Sequence, residues 1–140
     1  MATITATKII ESGLTSSLSD CTSGGDDFEN TGVEFVRIQN THASATHTVK
    51  IAASGTTSIK HPQYGTLTRG NIYKAVAPAT NSAYIGPFKQ GAFNDGNEKV
   101  QITYKTGSAI TDVAFNAAAA ISTISSGVHK LKIEVLYLDN

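Results

Sequence analysis

The side chains with chemistry to offer in this 140-residue chain are four histidines, one cysteine and two acidic clusters. His42, His47, His61 and His129 could ligate a metal or move a proton. None stands in an H-E-x-x-H pair, and none has the paired Cys/His spacing of a structural zinc site. His42 and His47 flank a polar connection and could meet, but the expectation is exposed loop histidines. Cys21 lies among Ser and Thr. A catalytic thiol needs a depressed pKa and a base; neither is signalled, so a spectator is expected. Asp26, Asp27, Glu29 and Asn30 form the densest acidic run. Calcium takes about six to eight oxygens, and neither the EF-hand spacing nor its closing glutamate is present. A solvated turn is the expectation there and also at Asn94, Asp95 and Glu98. G-x-S-x-G, G-x-x-x-x-G-K-[ST] and G-x-G-x-x-G are all absent. No acid, base and nucleophile fall into a plausible arrangement. No catalytic residue, cofactor or metal is expected, and the chain is not expected to be an enzyme.

The elements that would position such side chains are short strands. The stretch Tyr84–Tyr104, YIGPFKQGAFNDGNEKVQITY, reads as strand, loop, strand. Gly86-Pro87 ends the first strand, because proline has no N–H to donate. Asn94-Asp95-Gly96 is turn chemistry. Beyond it Val100, Ile102 and Tyr104 alternate with Gln101, Thr103 and Lys105, the period of a half-buried strand. Phe88 and Phe93 are placed to pin the loop onto a core.

Similar alternation predicts strands over Val33–Asn40, with Val36 and Ile38 inward, and His47–Ala52, with Val49 and Ile51 inward. It predicts others over Asn71–Ala77, stopped by Pro78, and Lys130–Leu138, with Leu131, Ile133, Val135 and Tyr137 on one face. Thr41–Thr46 is a polar hairpin connection. Thr3–Ile10 reads as a strand or an extended arm, Ser12–Gly25 as a loop with a short strand, and Asp26–Gly32 as a turn with Phe28 beneath it. Ala53–Arg69 reads as a surface excursion. Gly107–Gly127 is ambiguous: Thr111–Phe115 suits a strand, whereas Ala117–Ala120 favours helix. Seven to nine short strands with long loops predict an all-β fold, an antiparallel β-sandwich that is jelly-roll-like or immunoglobulin-like, with a small barrel as the lesser alternative.

Length sets one domain over 1–140, with 1–10 as the possible arm. Folding should remove roughly two-thirds of the extended chain's surface from water. Eleven basic residues balance eleven acidic ones, and charged residues make up 16% of the chain, below the roughly 25% of an ordinary domain. That composition argues against nucleic acid as a partner and against a polybasic membrane face. The start MATITATKII lacks a basic region followed by an apolar one, so no secretory signal is expected and folding in a cytosol is.

Two segments carry a resemblance. GDDFENTGVEFVRIQN (Gly25–Asn40) and IGPFKQGAFNDGNEKVQITY (Ile85–Tyr104) resemble paired signatures of small head-decoration, or capsid cement, proteins of tailed bacteriophages. The ITATKI segment at Ile4–Ile9 and the GLT step at Gly13–Thr15 are similar to that family's opening. These matches appear in the family's order and span about half the chain. Ala53–Arg69 and Gly107–Gly127 are longer than in the short members, as capsid-specific decoration or as surfaces for neighbouring subunits.

The resemblance implies a β-sandwich that binds the outside of an assembled capsid, with the major capsid protein as partner. It implies a virion location, on the capsid exterior, after assembly in the bacterial cytoplasm. A homo-oligomer, trimer or dimer, is expected. Such a protein stabilises the shell by binding it and not the free subunit, and symmetry multiplies a modest contact. Ala2, Thr3, Ile4 and Thr5 on the arm, and Phe88, Phe93, Asn94 and Asp95 on the loop, are the candidates for contact with the shell or with other subunits. An arm of this kind could add to a neighbour's sheet edge, or be the first strand of its own sandwich. The alternative function is a carbohydrate-binding or adhesin-like module of a phage tail or fibre, which would need exposed aromatics or a calcium cluster.

Overall fold

The computed structural model describes residues 1–55, 58–121 and 131–138. The fold is an all-β sandwich. One sheet is centred on β5 (Glu34–Asn40) and β12 (Leu131–Leu138), flanked by β10 (Asn81–Ile85) and β2 (Thr7–Ile9), with β3 (Ser19–Asp20) also pairing with β12. The other runs β1 (Ala2–Thr3), β4 (Asp26–Glu29), β11 (Lys99–Thr106), β6 (His47–Ile51) and β9 (Ile72–Val76). A separate hairpin pairs β7 (Ser58–His61) with β8 (Gly65–Thr68).

Register explains the core. Val36 lies opposite Val135 and Ile85, and Ile38 opposite Ile133 and Ala83. In the facing sheet Ile102 lies opposite Ile51, Tyr104 opposite Val49, and Val100 opposite Phe28. These inward rows form one buried cluster together with Phe88 and Phe93. Each fully buried aliphatic or phenylalanine side chain stabilises the fold by roughly 1.5–3 kcal/mol relative to exposure.

The structure adds strands to the expected set and changes several assignments. The additions are the two-residue β1 and the hairpin, which lies within the excursion expected over Ala53–Arg69, whereas β3 is the short strand expected within Ser12–Gly25. The long pairings are antiparallel, but the N-terminal segment pairs in parallel, β1 with β4 and β2 with β12. Asp26–Glu29 is a strand with a buried Asp26, not a solvated turn. Its acids are satisfied by one local and two distant partners: the Thr22 N–H and the Tyr104 hydroxyl donate to Asp26 at 3.0 and 2.7 Å, and Lys99 meets Asp27 at 3.2 Å.

Thr111–Phe115 is not a strand, because Thr111 caps a short helix, α2 (Asp112–Ala117), whose Phe115 is buried. The Thr111 hydroxyl accepts the Ala114 N–H at 3.2 Å, satisfying one donor of the first turn. The helix ends at Ala117, so Ala118–Ala120 is extended and not helical, and Ala120 bridges Lys105. The expectations for residues 122–127 and for His129 fall outside the described residues. Among the described residues no helix is long and apolar enough to cross a membrane.

Candidate functional site

The two segments that carry the family resemblance meet at one joint, built around Asn30. The Asn30 side-chain amide donates to the Phe88 carbonyl at 3.0 Å and to Asn94 Oδ1 at 2.6 Å. Asn94 Nδ2 and Gln90 Nε2 donate in return to the Asn30 carbonyl, at 3.0 and 3.2 Å. Asn30 Oδ1 accepts the Gly32 N–H, and the Asn30 N–H reaches the Glu98 carbonyl. A buried amide left unpaired would cost a desolvation penalty; here each group has a partner.

Beneath the joint Phe88 packs on Phe28 at 5.8 Å and on Phe93 at 5.7 Å between ring centroids. Glu34 closes the turn on one side, accepting from the Thr31 N–H, the Thr31 hydroxyl and the Val33 N–H. Burial opposes its ionisation, yet these bonds hold its carboxyl below the usual glutamate value. On the other side Gly86 has φ +124°, and a Cβ there would stand 3.0 Å from the Phe35 Cα, so only glycine fits. The arrangement holds two segments together and offers no nucleophile.

The loop from Gly86 to Glu98 contains the one-turn helix α1 (Gln90–Phe93). It also anchors the hairpin. The Gly55 N–H donates to the Ala92 carbonyl at 3.0 Å at one root, and Arg69 stacks over the Phe93 ring at 5.6 Å at the other. A groove of about 210 Å³ opens between them, lined by Ile59, Arg69, Lys89, Gly91 and Ala92.

Of the candidate contact residues, Ala2, Thr3 and Thr5 are exposed, and Ile4 is half-buried against the core. Ala2 and Thr3 pair with Asp26 and Asp27 of β4, and the Ile4 N–H donates to the Asp27 carbonyl at 2.8 Å. The segment is thus laid into its own sheets. It lines one wall of a polar cleft of about 400 Å³ facing Asp20, Asp26 and Glu134. Phe88 and Phe93 need correction as contact residues: both side chains are buried in the core and present no surface. Asn94 and Asp95 are half-buried with their side chains engaged internally. Asp95 accepts from the Asn97 and Lys99 N–H groups and from Gln101, which lower its pKa.

The titratable groups have structural duties. His42 and His47 are buried, not exposed, with rings 5.7 Å apart and edge-on. His42 Nδ1 accepts the Ser44 and Ala45 N–H groups, closing that connection, and His61 does the same for Gln63 and Tyr64 at the hairpin tip. Cys21 is buried beside Tyr104 and Asp26, and loss of hydration pushes its thiol far above the usual range. Glu134 binds Arg37 at 3.1 Å and accepts from the Ser16 hydroxyl and the Ser17 N–H. Among the described residues no three His, Cys, Asp or Glu side chains are grouped to hold a metal ion.

Sequence reasoning placed Ala53–Arg69 at the surface but missed the paired strands within it. Ile59 and Leu67 are cross-strand partners and about half exposed, and Tyr64 is 70% exposed. The signal was present in Pro62 and Gly65 between two short β-prone runs, but hydroxyl-rich flanks obscured it. No family model, no curated protein and no solved structure matches the chain.

Proposed function

We propose that this protein is a capsid decoration protein of a tailed bacteriophage, binding the outer surface of the assembled shell and stabilising it. The observation that carries this reading is the meeting of the two resembling segments, Gly25–Asn40 and Ile85–Tyr104, through Asn30 and Asn94. Conspicuous pattern residues in them (Phe28, Asn30, Gly32, Phe88, Asn94) serve one joint, as a shared scaffold would require. A cement function needs a rigid sandwich with exposed loops and no chemistry, and the polar side chains described above are occupied in holding loops in place. The partner is the major capsid protein in its assembled form, and the exposed Ala2, Thr3 and Thr5 are contact candidates. The test is thermal: shells stripped of this protein should break down at a higher temperature once it is added back. An unchanged breakdown temperature at saturating protein would contradict the reading.

A second reading, a glycan-binding module of a phage tail or fibre, is favoured by the exposed rings of Tyr64 and Tyr84, 70% and 64% accessible. Aromatic faces suit sugar stacking. Binding on a glycan array that is lost in Tyr64→Ala or Tyr84→Ala would support it.

A further inference from the structure

The outer face of the sheet built on β5 and β12 carries a pocket that strand pairing does not require. Phe35 and Arg37 alternate with the core residues Val36 and Ile38, and Glu134 and Leu136 with Ile133 and Val135, so these four point away from the core. Tyr84 stands between the inward Ala83 and Ile85 and faces the same way. Register lines up Tyr84, Arg37 and Glu134 across three strands, with Phe35 opposite Leu136 in the next row.

A flat sheet face holds no small ligand, but here the loop between β2 and β3 lies over it. The Ser16 hydroxyl and the Ser17 N–H donate to Glu134 at 2.8 and 3.0 Å, and Arg37 Nη1 donates to Ser16 Oγ at 2.6 Å. A pocket of about 230 Å³ results, whose apolar lining is Leu14 of the loop together with Ile9, Phe35, Leu136 and the Tyr84 ring.

The lining selects the ligand. Among the described residues Arg37 and Glu134 are the only charged groups around the pocket, and they neutralise each other at 3.1 Å. An ion of either sign would meet its like charge in that pair. A hydrocarbon fails for another reason. Arginine has five N–H donors; Nη1 serves Ser16 and Glu134, while Nη2 makes only a 3.5 Å contact with Ser82 Oγ. Covering Nη2 with apolar atoms would leave a donor unsatisfied. The volume lies below the roughly 300–1,000 Å³ of sites for drug-sized ligands, and suits one ring. A pyranose is uncharged, has a C–H face for an aromatic side chain, and carries hydroxyls that accept and donate. The Tyr84 ring is 64% exposed, with the Arg37 guanidinium 6.0 Å from its centroid.

We propose that this pocket binds one uncharged hexopyranose residue of a glycan, its C–H face on Tyr84 and a hydroxyl accepting from Arg37 Nη2. The site rests on the glycan reading above and involves no contact with a shell.

Amide-resolved NMR of the intact protein tests this, by titration with the methyl glycosides of glucose, galactose, mannose and N-acetylglucosamine. Methyl glucuronide serves as the charged control. The expected result is saturable shifts at the amides of Arg37, Tyr84 and Leu136 with at least one neutral glycoside, and weaker or no binding of the glucuronide. Tyr84→Ala should weaken binding roughly tenfold, whereas Tyr84→Phe should keep it, since the ring remains. Tyr84 is exposed, so the spectrum away from the pocket should not change in either variant. Shifts from none of the neutral glycosides would overturn the proposal, as would tighter binding of the glucuronide or binding indifferent to Tyr84→Ala. Shifts confined to the β7–β8 hairpin and abolished by Tyr64→Ala would overturn this pocket while leaving the glycan reading in place.

Discussion

Asn30 and Asn94 exchange hydrogen bonds across 64 residues of sequence: the Asn30 amide donates to Asn94 Oδ1 at 2.6 Å, and the Asn94 amide to the Asn30 carbonyl at 3.0 Å. Replacing Asn30 by Ala leaves the Phe88 carbonyl, Asn94 Oδ1 and the Gly32 N–H without their side-chain partner, while Asn94 Nδ2 keeps the main-chain carbonyl. The expected loss is about 2–4 kcal/mol in chemical denaturation. Asn94→Ala should cost less, since Asn30 keeps the Phe88 carbonyl. The double variant should be less destabilised than the sum of the singles, because the two share one network. Additive losses would show that the pair does not act as a unit.

Gly55 sits where a Cβ would stand 2.4 Å from the Gly91 carbonyl oxygen, whereas nothing lies within 4 Å of a Cβ at Gly70. Gly55→Ala should therefore cost about 1–3 kcal/mol by overpacking. Gly70→Ala should stay within about 0.5 kcal/mol of the parent. Equal effects at the two positions would argue against hairpin anchoring through the Gly55 contact.

Cys21 and Tyr104 pack together, and burial raises the pKa of both, the cysteine from an ordinary 9.0 and the tyrosine from 10.0. A raised folded-state pKa contributes stability that is fully present below the unfolded value and lost as pH rises. The fold should thus weaken above about pH 9. Cys21→Ala should remove the earlier part of that alkaline decline. The native thiol should resist a thiol reagent until denaturant is added; rapid labelling of folded protein would contradict its burial.

Glu134 shows the opposite sign. Burial opposes its ionisation, but Ser16, the Ser17 N–H and Arg37 more than compensate, and its pKa falls below 4.5. A depressed carboxyl contributes stability above the unfolded value and loses it as pH falls through the folded one. Glu134→Gln should flatten the decline in stability below about pH 4.5 while costing stability at neutral pH. Acid profiles that superimpose for parent and variant would show the Ser16 and Arg37 contacts to be without effect.

What was legible in the sequence was governed by period. The strands around Val36, Ile38, Val100, Ile102, Ile133 and Val135 could be read because alternation is local and each faces a core on one side. Asp26–Glu29 could not, because the groups that make its acids tolerable, Tyr104 and Lys99, lie more than 70 residues away. The same distance effect hid His42 and His47, whose burial depends on the strands that enclose them and not on their neighbours in sequence. Phe88 and Phe93 were rightly placed as pins of the loop and wrongly offered as contact surface, since a side chain buried in the core has no face left to present. The Asn30–Asn94 joint was present as two motifs, but their contact is a property of the fold alone.

The most direct measurement of the capsid-binding claim is co-sedimentation of the purified protein with assembled shells stripped of it, and in parallel with unassembled capsid subunits. Saturable binding to shells, with a fixed copy number, and none to free subunits is the expected result. Binding to neither, or equal binding to both, would contradict a cement function.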